Sequence, residues 1–165
     1  MHKTSIAAIC LLLALASPLT AAGPAPSSLI QLDYERWTIW YNCDKRGYQV
    51  FRYTTVPDSG DLDRYRGYSD ESQLPPRCRQ ESTWSYQLPD DLPQQYDRGH
   101  GVHQNIWDHD ESLMRDSNSM ANIVPQASKL NRRGAWRETE KLTECYRYIG
   151  QVEVWGGVIW GDDQS

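Results

Sequence analysis

The residues whose types and spacing could do chemistry lie between Tyr96 and Lys141. This stretch opens on Asp97-Arg98-Gly99-His100, passes through Met120-Ala121-Asn122-Ile123-Val124-Pro125-Gln126, and closes on Asn131, Trp136 and Glu140. A histidine titrates near neutrality and can take a proton from water. An asparagine can hold a hard cation through oxygen without cancelling its charge. An arginine can fork onto phosphate oxygens. Together these groups suit metal-assisted cleavage of a phosphodiester.

The order Asp-Arg-Gly-His, then Asn-Ile-Val-Pro-Gln, then Leu130-Asn131 and a Trp-containing helix resembles the DNA/RNA non-specific endonucleases of the ββα-metal type. The endonuclease G-like and secreted bacterial nucleases belong to that family. The match is good over about 98–142 and loose outside it. The resemblance implies His100 as general base, Asn131 as the ligand of one divalent ion and Arg98 as the group that neutralises phosphate. Mg²⁺ is the implied ion, with Mn²⁺ the alternative, and DNA and RNA the substrates, cut to 5′-phosphate products. Asp97 and Gly99 read as architectural, Gly99 by letting the backbone turn tightly. Asn122 and Gln126 correspond to positions that brace the site by hydrogen bonds. Trp136 reads as core rather than as a platform for bases. The chain departs from the family in one place. Arg132-Arg133 adds a residue between Asn131 and Trp136. Counting back from Trp136 makes Glu140 the acid that orients water at the metal. Counting along an unbroken helix from Asn131 favours Glu138 instead. A local bulge near Gly134 would restore Glu140.

A zinc site is the competing chemistry, built from His100, His103 and His109 with Asp108, Asp110 and Glu111. No two histidines have the i, i+4 helical spacing of zinc hydrolases. Asp108 to Glu111 reads more simply as a solvated acidic face. Two other functions are open: a nucleic-acid-binding protein of the same fold with impaired catalysis, and a phosphodiesterase of small nucleotides.

Charge is a weak guide. The chain of 165 residues carries a net −5, which disfavours a polyanionic partner, yet the local field matters more than the total. Lys129, Arg132, Arg133, Arg137 and Lys141 crowd into thirteen residues. Lys129, Arg132, Arg133 and Arg137 are therefore the candidates for nucleic-acid contact, against the alternative of a solvated helix face.

Residues 1–22 read as a signal peptide: a basic start at His2 and Lys3, an apolar run from Ile6 to Ala16, and small residues before Gly23. That run is short for a bilayer span. The expected localisation is secreted or periplasmic, with no membrane attachment after cleavage. The domain is then 23–165; resembling proteins carry a further sheet and helix beyond its last strand, which leaves two readings open, a compact variant or a chain incomplete at its C-terminus. Of the four cysteines, Cys10 lies in the signal. Export permits a disulfide; Cys43 and Cys78 are the preferred pair, since both flank loop-like stretches, and Cys145 is expected to be a buried thiol, with a partner beyond Ser165 as the alternative.

The elements that must position these groups form an α+β fold: a small antiparallel sheet carrying a ββα-metal motif. Tyr34 to Asn42 and Tyr48 to Thr55 form a hairpin around Asp44-Lys45-Arg46-Gly47. The second strand would alternate Tyr48, Val50 and Arg52 against Gln49, Phe51 and Tyr53. Residues 57–93 hold five prolines and read as a long irregular connection with little core, with a short strand at Trp84 to Leu88. Asp97 to Gln104 leads into a strand, Asp108 to Asp116 forms a short helix, and Ser119 to Val124 is a strand ended by Pro125. A helix runs from Ser128 to Gly150, with Leu142, Cys145, Tyr146 and Ile149 as its buried stripe. Gln151 to Trp160 is a strand bent at Gly156-Gly157. With one Phe against seven Trp and ten Tyr, amphipathic aromatics must do much of the packing.

Overall fold

A computed structural model describes residues 29–80, 83, 86 and 88–161. The signal peptide and the Trp84 to Leu88 strand expected from sequence lie wholly or largely outside the described residues. Two antiparallel sheets build the fold. The larger has four strands in the order β1 (Leu29–Asp33), β2 (Trp37–Asn42), β3 (Gly47–Thr54) and β6 (Glu153–Gly157). The smaller is a ribbon of β4 (Tyr96–His100) and β5 (Ile123–Ala127). Among the described residues three α-helices complete it: α1 (Glu111–Ser117), α2 (Ser128–Arg133) and α3 (Ala135–Arg147). Among the described residues no helix is long and apolar enough to cross a membrane.

The hairpin forms as its alternating aromatics require, but its second strand has a different phase. Pairing slips between Trp40 and Tyr41, so that Trp40 faces Val50 while Tyr41 faces Tyr48. Gln49 is the extra residue of this bulge. It turns Tyr48 inward beside Phe51 and Tyr53, whereas strict alternation puts Tyr48 on the opposite face. Trp37, Ile39 and Tyr41 meet them from β2. Trp107 packs tilted against Trp37, ring centres 5.2 Å apart, and Phe51 meets Trp136 edge to face at 6.2 Å. Trp136 therefore belongs to the packing, as expected. The strand β1, which sequence reading missed, pairs with β2 from Thr38 to Asn42.

Four further expectations are corrected. Pro125 does not end a strand; it sits mid-way along β5, opposite Arg98. A two-stranded ribbon tolerates it because the missing N–H points to an unpaired edge. Gly99 makes no tight turn. It lies inside β4, and none of the described glycines has a positive φ. A Cβ there would come within 2.5 Å of Gln126 across the ribbon, so close approach explains the glycine. The 57–93 connection does carry core, since Leu74 and Cys78 are buried. The apolar stripe of the last helix is the largest reversal. Leu142, Cys145, Tyr146 and Ile149 all face solvent. The inward face of α3 is instead Trp136, Glu140, Thr143, Glu144 and Arg147, a nearly polar stripe at helical spacing.

Cys43 and Cys78 form a disulfide that closes 35 residues of separation, tying the hairpin to the irregular connection. Closing a loop of this size stabilises a fold by about 3–4 kcal/mol through the unfolded chain. Replacing Cys43 with Ser should lower unfolding stability in urea by about that amount. An unchanged midpoint would mean the bridge carries none of the fold.

Candidate active site

The ribbon places the chemistry. Residues two apart on a strand share a face, so Arg98 and His100 of β4 both turn to one side and line a cleft of about 890 Å³. Asn131 from α2 and Arg137, Glu140 and Glu144 from α3 line it too. The connection between β3 and β4 contributes Asp58 and Arg64 to its opposite wall.

Asp97 fixes the geometry from behind. Its carboxylate accepts from Ser128 Oγ (2.9 Å), Asn131 Nδ2 (3.0 Å), and Arg132 Nε (2.8 Å) and Nη2 (2.5 Å). One side chain of β4 thereby clamps three residues of α2. Burial works against its charge, but the hydrogen bonds from Arg132, Asn131 and Ser128 outweigh that and hold the carboxyl below its ordinary range. Because Asn131 is anchored through its nitrogen, its oxygen is left to serve as a ligand.

His100 is buried and held by a residue that sequence reading missed. Its Nε2 lies 2.7 Å from Asn118 Oδ1. The Asn118 amide cannot be turned round, because its Nδ2 donates to the carbonyls of Tyr65 (3.0 Å) and Gly67 (2.6 Å). Its oxygen also accepts from Gln104 Nε2 at 2.6 Å. An amide oxygen only accepts, so His100 carries its proton on Nε2 and Nδ1 is the basic nitrogen. Burial lowers its pKa to about 4, helped by Arg64 and Arg98, with the Asn118 bond opposing. His100 is therefore neutral at pH 7, as a general base must be. The only sequence signal for Asn118 was an Asn four residues before Asn122, too common a pattern to single out.

The bracing residues divide. Asn122 donates to the carbonyls of Val102 (2.9 Å) and Ser117 (2.8 Å) and accepts from Val102 N (2.8 Å), stapling the bend after His100. Gln126 shows no side-chain hydrogen bond to the described residues. It packs over Gly99 with its Oε1 buried and unpaired.

The structure places the two candidate acids on opposite sides of α3. Gly134 interrupts the helix expected from Ser128 onward, with φ −102° and ψ −163°. A Cβ there would approach Leu130 Cα to 2.8 Å. The break resets the helical phase. Glu140 faces the cleft, held by Arg137 Nη1 at 3.0 Å, while Glu138 is exposed and paired with Lys141 at 2.8 Å. Burial raises the Glu140 pKa against the pull of Arg137. Arg137 is thus occupied with an acid of the cleft, and Arg132 with Asp97. Of the expected nucleic-acid contacts, Lys129 and Arg133 are the exposed cations left.

His103, named only in the zinc alternative, also lies in the cleft. Its Nε2 is 3.9 Å from Glu140 Oε1 and its Nδ1 is 3.5 Å from Glu144 Oε1. Burial lowers its pKa to about 3, with His100, Arg137, Arg64 and Arg147 adding to the effect. No group of three or more His, Cys, Asp or Glu side chains among the described residues is set to hold a metal. The acidic run is not a uniformly solvated face either. Asp110 caps α1 through the Ser112 and Leu113 amides, and Asp108 lies 3.8 Å from the buried Arg147.

Asn118→Asp keeps the shape of the support but sets a carboxylate against the His100 N–H. An opposite charge at this distance favours the imidazolium. The His100 pKa should rise from about 4 toward or above its ordinary 6.5, read by NMR titration of the ring. A value unmoved by the substitution would contradict the role given to Asn118.

Comparison with known proteins bears on the family and the fold. A family model described as DNA/RNA non-specific endonuclease matches residues 17–165. Among solved structures, the EndoG/EndoGI complex, described as showing the mechanism of EndoG inhibition, matches with a TM-score of 0.61 at 17 % identity. The match covers 77 % of this chain and 52 % of that one, so this chain spans about half the length of its structural neighbour. No curated protein matches. The α+β arrangement, the paired ribbon and the family model agree, and the chain belongs to the DNA/RNA non-specific endonuclease family.

Proposed function

We propose that this protein is an exported endonuclease that hydrolyses phosphodiester bonds of DNA and RNA without sequence preference, using Mg²⁺ or Mn²⁺, and leaves 5′-phosphate ends. The observation that carries the reading is the tautomer of His100, fixed by Asn118 in the cleft that Arg98, Asn131 and Glu140 also line. Export rests on the signal-like residues 1–22 and fits a disulfide-bonded chain.

The residues fit a hard divalent cation. Asn131 offers an amide oxygen whose nitrogen is already anchored, and Glu140 offers a carboxylate on the same cleft. A cation there would stabilise negative charge growing on the phosphate. His100 Nδ1 takes the proton of the attacking water. Arg98, its guanidinium 4.5 Å above the Tyr68 ring, meets a phosphate oxygen from the side. Glu140 accepts a hydrogen bond from water and so helps to orient it. The Asp97 clamp keeps Asn131 in register with His100 across the ribbon.

Plasmid nicking tests the reading. Wild type should nick with Mg²⁺ and stop with chelator. His100→Ala should lose about 10²–10⁴-fold, the usual worth of a general base, while still binding DNA. Cleavage within threefold of wild type would remove His100 from the mechanism. The exposed cations give a second expectation. Replacing Lys129 and Arg133 with Gln should flatten the salt dependence of DNA binding by up to about two phosphate contacts, equally for all sequences. An unchanged slope would mean they do not touch the backbone.

A further inference from the structure

A second hollow of about 380 Å³ adjoins the cleft, and the mechanism above makes no use of it. Arg64, Arg98 and Asn131 line both spaces, whereas His100 lines only the cleft and Tyr96 only the hollow. Tyr68, Tyr86 and Tyr96 give the hollow three aromatic side chains. Two of them are engaged. Tyr68 carries the Arg98 guanidinium over its ring, and Tyr86 is buried with its hydroxyl donating to Gln80 Oε1. Gln80 in turn donates to the carbonyls of Met120 (2.9 Å) and Ile123 (2.6 Å), which fixes this side of the hollow. Tyr96 differs. It is 40 % exposed and makes no hydrogen bond or ring contact with the described residues.

Tyr96, Arg98 and His100 alternate along β4 and so share one face of the ribbon. Neighbours in this row stand about 7 Å apart along the strand. Proton acceptor, phosphate-binding cation and free ring therefore follow one another in a line. A nucleotide has a matching order, with its sugar standing between phosphate and base. When a scissile phosphate lies on Arg98 beside His100, the base of an adjoining nucleotide reaches Tyr96. The charge agrees with such a ligand. Neither Arg64 nor Arg98 lies within ion-pair distance of a carboxylate among the described residues, so both leave positive charge for the phosphate.

We propose that this hollow is a subsite for an unpaired nucleobase next to the scissile phosphate, stacked on Tyr96, and that it makes single-stranded DNA and RNA the preferred substrates. This rests on the reading of the cleft as a nuclease site given above. Every base has a π-face, so stacking on a tyrosine is blind to sequence. A base within a duplex is already stacked and paired, and reaches Tyr96 only by being extruded at an energetic cost. Single strands do not carry that cost.

Fluorescence anisotropy of the full chain tests this, with a labelled single-stranded DNA of about eight nucleotides and the matching duplex as probes. Chelator is present so that neither is cut. Wild type should bind the single strand more tightly than the duplex. Tyr96→Ala should weaken single-strand binding about 5- to 100-fold, the usual worth of one base–aromatic stack, and leave duplex binding within about twofold. Tyr96→Phe should bind as wild type does, since stacking needs the ring and not the hydroxyl. The exposure of Tyr96 keeps both substitutions out of the core. The inference is overturned by a wild type that favours the duplex, by single-strand binding unmoved in Tyr96→Ala, by equal weakening for both probes, or by a loss in Tyr96→Phe as large as in Tyr96→Ala. Plasmid nicking by wild type would then still support the nuclease reading. A wild type that neither binds these probes nor nicks overturns both.

Discussion

The Asp97 carboxylate is the interaction on which the site depends. It accepts from Ser128, Asn131 and Arg132 at once, and so joins the ribbon strand β4 to the start of α2. Its own strand carries Arg98 and His100 on the other face. The proton acceptor and the candidate ligand thus come from two different elements that line one cleft, and a single charged fork joins those elements. Without it α2, only six residues long and lacking a side-chain N-cap, has little to hold it in register.

Beyond this clamp the cleft is built by an unusual use of a helix. The inward stripe of α3 is polar because it lines the cleft, and Arg147 at its end is the buried ion that holds that wall. Its side chain is 1 % exposed, with Asp58 at 2.7 Å, Glu144 at 2.9 Å and the Ile106 carbonyl at 3.2 Å. Desolvated charges persist only when paired in this way. The arrangement costs the helix its apolar contacts and leaves Leu142, Tyr146 and Ile149 exposed.

The sequence made the chemistry more legible than the packing. The Asp97–His100 and Asn131 motifs pointed to residues that share one cleft, because such motifs encode local spacing. Glu140 was open in sequence, since its phase depends on whether the helix breaks at Gly134, and only the close approach to Leu130 decides that. Asn118 was invisible because its partners, Tyr65 and Gly67, lie in a connection without periodicity. The α3 stripe was misread because apolar spacing normally marks the buried face, and here burial of charge overrides it. The β3 alternation failed at one inserted residue, Gln49, which no propensity marks.

The central claim is that Asp97 acts on the chemistry through Asn131. A double-mutant cycle on nicking rate tests it most directly, using Asp97→Ala, Asn131→Ala and the pair, with stability followed alongside. The account predicts strong non-additivity: each single change removes the same arrangement, so the double variant is scarcely slower than Asn131→Ala alone. Fully additive losses would show that Asp97 and Asn131 act independently and would contradict it.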